Sequence, residues 1–246
     1  MRSLGRQASL LAHEIGRYPR YWTRLLRKPD RLRLHGVYLE IGERVTPEIR
    51  AALYAERYER GEARCVVARL ERDDVVLEIG AGMGYISTLC ARMIGSERVT
   101  SYEADPTLIP TIRRTYELNG VAPTLIHAIL ADRHGTTSFF VDEQFVYSST
   151  HPRSRAAREI TVPQLDVNAE VRRIRPTCLI MDIEGAESEL LPRIDLRAIR
   201  KIIIELHPRH IGHARGEELI GLLAAQGFVV HRSISSARKK YLERRR

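Results

Sequence analysis

The chain has 246 residues, 43% of them hydrophobic, and a formal net charge of +9, which suits one α/β domain with a basic appendage. The sequence shows no internal repeat, signal peptide or apolar stretch of about 18 residues, so it predicts neither a solenoid nor an exported or membrane-spanning protein. Its three cysteines, Cys65, Cys90 and Cys178, fit no metal or disulfide pattern and indicate a reducing compartment, the cytoplasm.

The positive charge is concentrated at the two ends of the chain. Residues 1–35 carry a net charge of +7 and residues 232–246 carry +6, whereas the segment between them carries −4. Basic ends can contact anions such as lipid head groups, nucleic acid or an acidic polymer, and they also form ordinary solvated surfaces. Charge alone therefore leaves the partner of these ends open.

Residues 1–70 are predicted to form a helical, basic extension that contains one short strand. The first 30 residues mix basic and apolar positions at helical spacing, as in a helix that docks on protein or lies on a membrane surface. Residues 36–41 are predicted to be the strand. Threonine at the N-cap and proline at the first helical position predict a helix over residues 46–60, and a shorter helix is expected near residues 62–70.

Residues 71–246 are predicted to form an α/β domain, because apolar strands alternate with helices along this part of the chain. The predicted strands are residues 75–79, 99–103, 124–129, 136–141, 159–162, 178–182, 201–205 and 228–231. The predicted helices are residues 85–94, 106–118, 187–191 and 215–226. Strands this apolar are buried on both faces, as in a parallel sheet, and the ligand is then expected at the carboxyl ends of the strands.

Two segments of this domain are expected to be irregular. The polar residues 143–158 are predicted to form a loop that either covers a substrate or lies uninvolved at the surface. The residues after 231 are predicted to form a charged tail, which can also hide an edge strand.

A glycine-rich loop follows the first strand of this domain. Gly80, Gly82 and Gly84 are spaced G-x-G-x-G, and glycines at such a turn let the backbone approach a ligand closely. The dinucleotide fingerprint G-x-G-x-x-G requires glycine where Tyr85 stands, and no G-K-[S/T] follows, so a different nucleotide-like ligand is favoured over a dinucleotide or a P-loop phosphate. A tight turn without any ligand gives the same pattern.

Glu103 supplies a second feature of a nucleotide site. It ends the second strand of the domain, 19 positions after Gly84. An acid about 20 residues beyond a glycine loop can accept hydrogen bonds from both ribose hydroxyls. A surface acid at a strand end is the alternative, which the joint occurrence with the loop makes less favoured.

The segment 182–187, Asp-Ile-Glu-Gly-Ala-Glu, resembles the D-x-E-G-A-E signature of FkbM-type methyltransferases. Other matching pieces follow in family order: Glu103-Ala104-Asp105-Pro106, Ala131-Asp132 with Gly135, Leu165-Asp166, and Ile204-Glu205-Leu206-His207-Pro208. The resemblance covers about residues 70–208. The family usually has aspartate and an Ala-Asn pair in the glycine loop, where this chain has Glu78 and Ala81-Gly82.

This resemblance implies a class I methyltransferase fold, which is a Rossmann-like α/β fold with a mostly parallel seven-stranded sheet and helices on both faces. It also implies S-adenosyl-L-methionine as the cofactor. The cofactor-binding residues that it implies are Glu78, Gly80, Gly82, Gly84, Glu103 and Asp132. Among them, Glu78 would hold the methionine moiety, Glu103 the ribose and Asp132 the adenine.

The catalytic residues that the resemblance implies are Asp182, Glu184 and His207. A hydroxyl acceptor must lose its proton near the transition state, so we expect Asp182 or His207 to act as base and Glu184 to position the acceptor. Acids just before a helix also stabilise its N-terminus, which is an alternative role for Glu184 and Glu187. Glu205 lies two positions before His207, so both point to one side if the strand continues.

A metal site is considered but not favoured. Asp182, Glu184, Glu205 and His207 could converge on Mg²⁺ or Mn²⁺ at neighbouring strand ends. The histidines at 207, 210 and 213 have no cysteine partners, so no zinc site is predicted.

The predicted function is O-methylation of a sugar, glycan or secondary metabolite, as the FkbM resemblance implies. Two alternatives stay open: a nucleic-acid methyltransferase that uses the basic termini, and a cofactor-binding module without turnover. A nucleic acid is the less favoured partner, because the [D/N]-P-P-[Y/F] motif of base-methylating enzymes is absent. Peripheral membrane contact through the basic N-terminus is a further expectation.

Overall fold

The computed structural model describes residues 19–42, 45–141 and 158–245. The chain divides into two compact units, residues 1–60 and residues 61–246. The predicted domain boundary at residue 70 stays a prediction. Most of the predicted substrate loop and the helical pattern before residue 19 lie outside the described residues.

The first unit contains two helices and a hairpin. They are α1 (Pro19–Arg27), β1 (Arg31–Leu34), β2 (Val37–Glu40) and α2 (Pro47–Tyr54), with the two strands antiparallel. His35 and Gly36 both have positive φ, at 45° and 86°, which is the backbone of a two-residue type I′ hairpin turn. The Thr46 side chain accepts a hydrogen bond from Ile49 N at 3.4 Å, which confirms the predicted helix start.

The second unit is built on a seven-stranded sheet. In spatial order its strands are β11 (Phe228–Val230), β12 (Lys239–Arg244), β10 (Lys201–Glu205), β9 (Cys178–Met181), β3 (Val76–Ile79), β4 (Val99–Glu103) and β5 (Thr124–His127). Every strand except β12 runs in the same direction. This mostly parallel α/β sheet confirms the predicted fold class.

Helices and a small second sheet complete this unit. The helices are α3 (Arg60–Arg69), α4 (Tyr85–Ile94), α5 (Ile109–Asn119), α6 (Val167–Ile174), α7 (Glu187–Leu190), α8 (Pro208–Ile211) and α9 (His213–Ala225). The small sheet contains β6 (Ile129–Ala131), β7 (Gly135–Val141) and β8 (Arg158–Asp166), with β8 in the centre. Among the described residues, every helix is too short or too polar to cross a membrane.

The charged segment after residue 231 hides a strand, as the alternative to a charged tail allows, but this strand does not lie at the edge of the sheet. Residues 239–244 form β12, which pairs antiparallel with both β10 and β11 and so lies inside the sheet. Tyr241 and Leu242 are fully buried. The flanking basic side chains stay paired, since Lys239 reaches Glu205 and the Arg244 guanidinium donates to backbone carbonyls. Charged residues therefore flank the two apolar residues of β12, and they give this strand the composition of an exposed segment.

The sheet brings two loops together at one edge. Strand β3 lies between β4 and β9. The chain continues from β3 to β4 and β5 on one side of β3 and later adds β9 and β10 on the other side, so the switch point of the strand order lies between β3 and β9. Ile79 and Met181, the last residues of β3 and β9, stand opposite each other in the register. The loops that follow these two strands therefore start side by side, at the position where open α/β sheets bind their ligands.

Candidate active site

The glycine loop packs directly against the chain segment that follows β9. Gly80 has φ of 88°, and a Cβ atom at this residue would lie 1.9 Å from the carbonyl oxygen of Asp182. Asp182 N in turn donates to Ile79 O at 3.0 Å. Glycine is thus required at residue 80 both by its backbone conformation and by the close approach of the neighbouring loop. The glycine loop and Asp182 are therefore in contact.

Glu103 is fixed against the same loop. Its carboxylate accepts hydrogen bonds from Gly82 N at 3.0 Å and from Asp105 N at 2.8 Å. The residue is only 7% exposed, and burial raises its pKa to about 7 although both backbone donors favour the charged form. Two backbone amides therefore set the orientation of this carboxylate at the end of β4.

Glu78 lies on the sheet face opposite Leu77 and Ile79, whose side chains belong to the main hydrophobic core. It is 2% exposed, and its Oε2 atom has no hydrogen-bond partner among the described residues. Burial raises its pKa to about 7, and the nearby hydroxyls of Ser101 and Ser87 limit the rise. Its predicted contact with the methionine moiety stays a prediction.

Asp132 forms its ion pair with a different part of the chain. It follows β6, is half exposed, and forms an ion pair with Arg193 at 3.1 Å. Its predicted place near adenine stays a prediction.

The three predicted catalytic side chains meet after β9 and β10. His207 Nε2 lies 3.6 Å from Asp182 Oδ1 and 3.5 Å from Glu184 Oε2. The Oδ1 atom of Asp182 is buried and has no hydrogen-bond partner in the described part of the chain. Glu184 has φ of 51°, a strained value for a residue other than glycine, and such strain is common at functional sites.

His207 is the positively charged member of this group. It is 6% exposed, and its Nδ1 atom contacts Glu187 Oε1 at 2.5 Å. Burial lowers its pKa, but Glu187, Glu184 and Asp182 together raise the pKa to about 9. His207 therefore carries a proton at neutral pH and is poorly suited to remove one.

Glu187 has a role that the sequence did not predict. Helix capping was the alternative role considered for it, yet its side chain is fully buried against His207 and the helix start has no side-chain cap. A buried carboxylate on the far ring nitrogen fixes the tautomer and orientation of a histidine. The Glu205-x-His207 spacing does not indicate this partner, because Glu187 and His207 are 20 positions apart in the sequence.

Asp182 is the member best suited to accept a proton. Burial raises its pKa well above the ordinary value, and the carboxylates of Glu205 and Glu62 raise it further, whereas His207 and Lys239 lower it. A carboxylate with a raised pKa is a stronger base than an exposed one. The geometry and charge distribution thus favour Asp182 over His207 as base.

Two residues near Asp182 were missed by the sequence analysis, Glu62 on α3 and Lys239 on β12. Lys239 Nζ contacts Glu62 Oε1 and lies 2.6 Å from Glu205 Oε2. No motif spacing connects residues so far apart in the chain. The sequence feature that points to Lys239 is the lysine pair 239–240, which stands out in a chain with only four lysines.

Two sets of side chains at this edge have ligand atoms close enough to hold a metal ion. The atoms of Asp182, Glu184 and His207 lie within 4.8 Å of one another, and so do those of Glu62, Asp182 and Glu205. The ammonium of Lys239 already contacts two members of the second set. In the first set, His207 is protonated at neutral pH, so its ring nitrogens offer no lone pair to a cation.

Comparison with protein families places this geometry in a known group. The model described as a methyltransferase FkbM domain matches residues 74–230, which is more than half of the chain. The match includes the glycine loop, Glu103, Asp182, Glu184 and His207. A search of curated protein sequences found no relative.

Solved structures of low sequence identity resemble the chain. A precorrin-6y C5,15-methyltransferase from Geobacter metallireducens is 14% identical, with a TM-score of 0.46 over 83% of this chain and 91% of that chain. A tRNA (uracil-54, C5)-methyltransferase from Pyrococcus abyssi, solved with S-adenosyl-L-homocysteine, is also 14% identical, with a TM-score of 0.49 over 87% of this chain and 43% of that chain.

Proposed function

The chain belongs to the FkbM family of S-adenosylmethionine-dependent methyltransferases, and we propose that it methylates a hydroxyl group on a sugar, glycan or secondary metabolite. The observation that carries this proposal is the contact between the glycine loop and Asp182. It brings a nucleotide-type loop and a partly buried carboxylate together at the switch point of the sheet.

The cofactor half of the site consists of the glycine loop and Glu103. Gly80, Gly82 and Gly84 all have positive φ, which turns the backbone sharply out of β3 and leaves the loop without side chains at those residues. The Glu103 carboxylate, held by Gly82 N and Asp105 N, keeps lone pairs for two hydroxyl donors. This arrangement fits the ribose of an adenosyl ligand.

S-adenosylmethionine, when bound, supplies a methyl group that is already activated on a sulfonium. The protein then needs to align an acceptor oxygen and to remove its proton. Asp182 borders the glycine loop, and its buried Oδ1 atom has no hydrogen-bond partner among the described residues. We assign the acceptor proton to an Asp182 oxygen, and the positioning of the acceptor to Glu184.

His207 has an electrostatic role in this proposal. Its imidazolium, oriented by Glu187, lies 3.6 Å from Asp182 and stabilises the ionised form of that carboxylate. The same charge lies 3.5 Å from Glu184, so the three residues form one coupled group. This assignment favours Asp182 over His207 among the two bases that the sequence suggested.

The experiment that tests the function is a screen of radiolabelled methyl transfer into a polar-metabolite and glycan extract. The wild-type chain should label one or a few small hydroxyl compounds, and the Asp182→Asn variant should label none. Label that enters only added RNA, or calorimetric binding of S-adenosylhomocysteine without any turnover, would contradict O-methylation of a small acceptor.

A cytoplasmic location is part of the proposal. All three cysteines are buried and unpaired, and burial raises the pKa of each thiol above its ordinary value. Unpaired, unreactive cysteines suit a reducing compartment.

A further inference from the structure

A buried acid–cation network lies beside the candidate base and comes largely from outside the family-matched residues 74–230. Its members are Glu62 on α3, Lys239 on β12 and Glu205 at the end of β10. Glu62 is 2% exposed and Glu205 is 5% exposed. Lys239 Nζ bridges them, in contact with Glu62 Oε1 and 2.6 Å from Glu205 Oε2.

This network reaches Asp182 directly. Carboxylate oxygens of Glu62, Asp182 and Glu205 lie within 4.8 Å of one another. Three carboxylates at such separations, two of them buried, repel one another strongly unless a cation lies among them. Glu62 Oε2 and Asp182 Oδ1 are both buried atoms without a hydrogen-bond partner among the described residues, so the cation is the main group that can balance these two oxygens.

The charged groups that face Asp182 come from four parts of the fold. Glu62 comes from α3 and Glu205 from β10, and Lys239 comes from β12. His207 follows β10, and Glu184 belongs to the same loop as Asp182. Arg238 Nη2 adds a further cation by pairing with Glu205 Oε1 at 3.0 Å. Of the three cations, Lys239 is the one that contacts both neighbouring acids.

The path of the Lys239 side chain depends on Gly61. A Cβ atom at residue 61 would lie 2.3 Å from Lys239 Cδ. Glycine lowers the stability of a helix interior relative to alanine, yet it stands here in the first turn of α3. The missing side chain leaves room for the lysine methylenes to reach the acids.

Resting on the proposed methyl transfer, we propose that Lys239 is a positioning residue whose ammonium balances Glu62 and Glu205 and so favours the carboxylate form of Asp182. The segments on either side of the family domain thereby complete its active site. Lys239 does not touch the reacting atoms, and it acts through the charge of Asp182.

The proposal predicts opposite effects for the cation and for the acid that it binds. Lys239→Met removes the cation that contacts Glu62 and leaves Glu205 with Arg238 as its ion-pair partner, so the titration midpoint of Asp182 should rise by about one pH unit or more. Glu62→Gln removes one repelling charge, so the midpoint should fall. Lys239→Arg keeps the cation and should restore most of the wild-type midpoint.

The chain offers a matched control on the neighbouring strand. Lys201, at the start of β10, is also buried and also binds two acids, Glu71 and Asp74, each at 2.7 Å. Lys201→Met should lower stability in a comparable way. It should leave the Asp182 midpoint in place, because Glu205 and the active-site edge lie at the other end of the strand.

The test is an NMR titration of the full-length chain with carboxyl-¹³C-labelled aspartate, in which Asp182→Asn identifies the Asp182 signal. This readout needs no acceptor, so it can fail or succeed independently of the proposed O-methylation. The expected result is an upward shift in Lys239→Met, a downward shift in Glu62→Gln and no shift in Lys201→Met.

Equal midpoints in wild type, Lys239→Met and Glu62→Gln would overturn the proposal, and so would equal upward shifts in Lys239→Met and Lys201→Met. If Lys239→Met fails to fold, Gly61→Ala provides the second variant, since its methyl group displaces the lysine side chain. It should then raise the midpoint in the same direction, and an unchanged midpoint would contradict the role of Lys239.

Discussion

Two carboxylates lie at the carboxyl ends of the strands on either side of β3, and they are held in different ways. Glu103, the last residue of β4, is fixed by the backbone N–H groups of Gly82 and Asp105. Asp182, after β9, has an oxygen with no hydrogen-bond partner among the described residues and is surrounded by charged side chains. A carboxylate held by backbone dipoles keeps one orientation and suits binding, whereas one balanced among charges can change its proton occupancy and suits chemistry.

The difference also separates what a local motif determines from what distant residues determine. The partners of Glu103 lie in the glycine loop and two residues away in sequence. The charges around Asp182 come from residues 62, 205, 207 and 239, which span most of the second unit. Substitution of Glu103 should therefore mainly change cofactor affinity, whereas substitution of Asp182 should mainly change turnover.

The largest expected effect is the loss of turnover in Asp182→Asn. Asparagine keeps the size of the side chain but cannot accept the acceptor proton, so kcat should fall by about 10²- to 10⁴-fold. The dissociation constant of S-adenosylhomocysteine should stay within about twofold of the wild-type value. Calorimetry and initial rates measure the two quantities, and normal turnover would remove Asp182 from the role of base.

The pH profile of wild-type turnover tests the same assignment. Activity should be lost as pH falls through the raised pKa of Asp182, because the protonated carboxyl cannot act as base. His207, with its pKa raised to about 9, should cause loss of activity only on the alkaline side, as its positive charge disappears. A profile that rises through pH 9 would instead favour neutral His207 as base.

A second expected effect concerns stability and Glu78, another buried carboxylate of this region. Its pKa rises from an ordinary 4.5 to about 7, so the contribution of Glu78 to the free energy of unfolding is most favourable below pH 4.5 and is lower by roughly 3 kcal/mol above pH 7. Glu78→Gln removes this cost and should raise the free energy of unfolding at pH 8 more than at pH 4. Urea unfolding at both pH values measures this, and an equal change at the two would show that ionisation is not the cause.

A smaller effect is expected for the binding half of the site. Glu103→Ala removes two charge-assisted hydrogen bonds to the ribose, so the affinity for S-adenosylhomocysteine should fall about tenfold to a hundredfold. Affinity of the wild type should also weaken as pH falls below about 7, since protonation of Glu103 removes an acceptor. Unchanged affinity in Glu103→Ala would exclude the ribose role, and turnover at saturating cofactor should change less than in Asp182→Asn.

The sequence predicts the parts of this molecule whose interactions are local. Gly80 to Gly84, Glu103 and the strands β3, β4, β9 and β10 all follow from short patterns, and the structure confirms their places. It leaves a hidden edge strand after residue 231 only as an alternative to a charged tail, because Lys239, Lys240, Glu243 and Arg244 give β12 the composition of a solvated segment. Their charges are compensated only by tertiary partners such as Glu205 and Glu62, which no local pattern contains.

The charge of His207 is a second property that sequence could not give. The E-x-H pattern places Glu205 and His207 on one side, and the structure confirms that they are neighbours, with Nε2 and Oε1 3.9 Å apart. The proton occupancy of the ring depends on Glu187, which the structure buries against Nδ1. The base, Asp182, and its charged partner, His207, can therefore be told apart only when the tertiary contacts are known.

The smallest expected effect concerns the basic helix α1 of the first unit, which contrasts with the acidic site in charge. Leu25 and Leu26 are 40% and 85% exposed, and the same helix carries Arg20, Arg24 and Arg27. We propose that this helix contacts anionic lipid surfaces, because exposed leucines next to arginines match the amphipathic helices that lie on membranes. Leu26→Glu should therefore weaken binding to vesicles containing phosphatidylserine by about threefold to tenfold. Val67→Glu, which changes a 52% exposed apolar position on α3, is the control, and equal losses in both variants in a sedimentation assay would refute a specific role for α1.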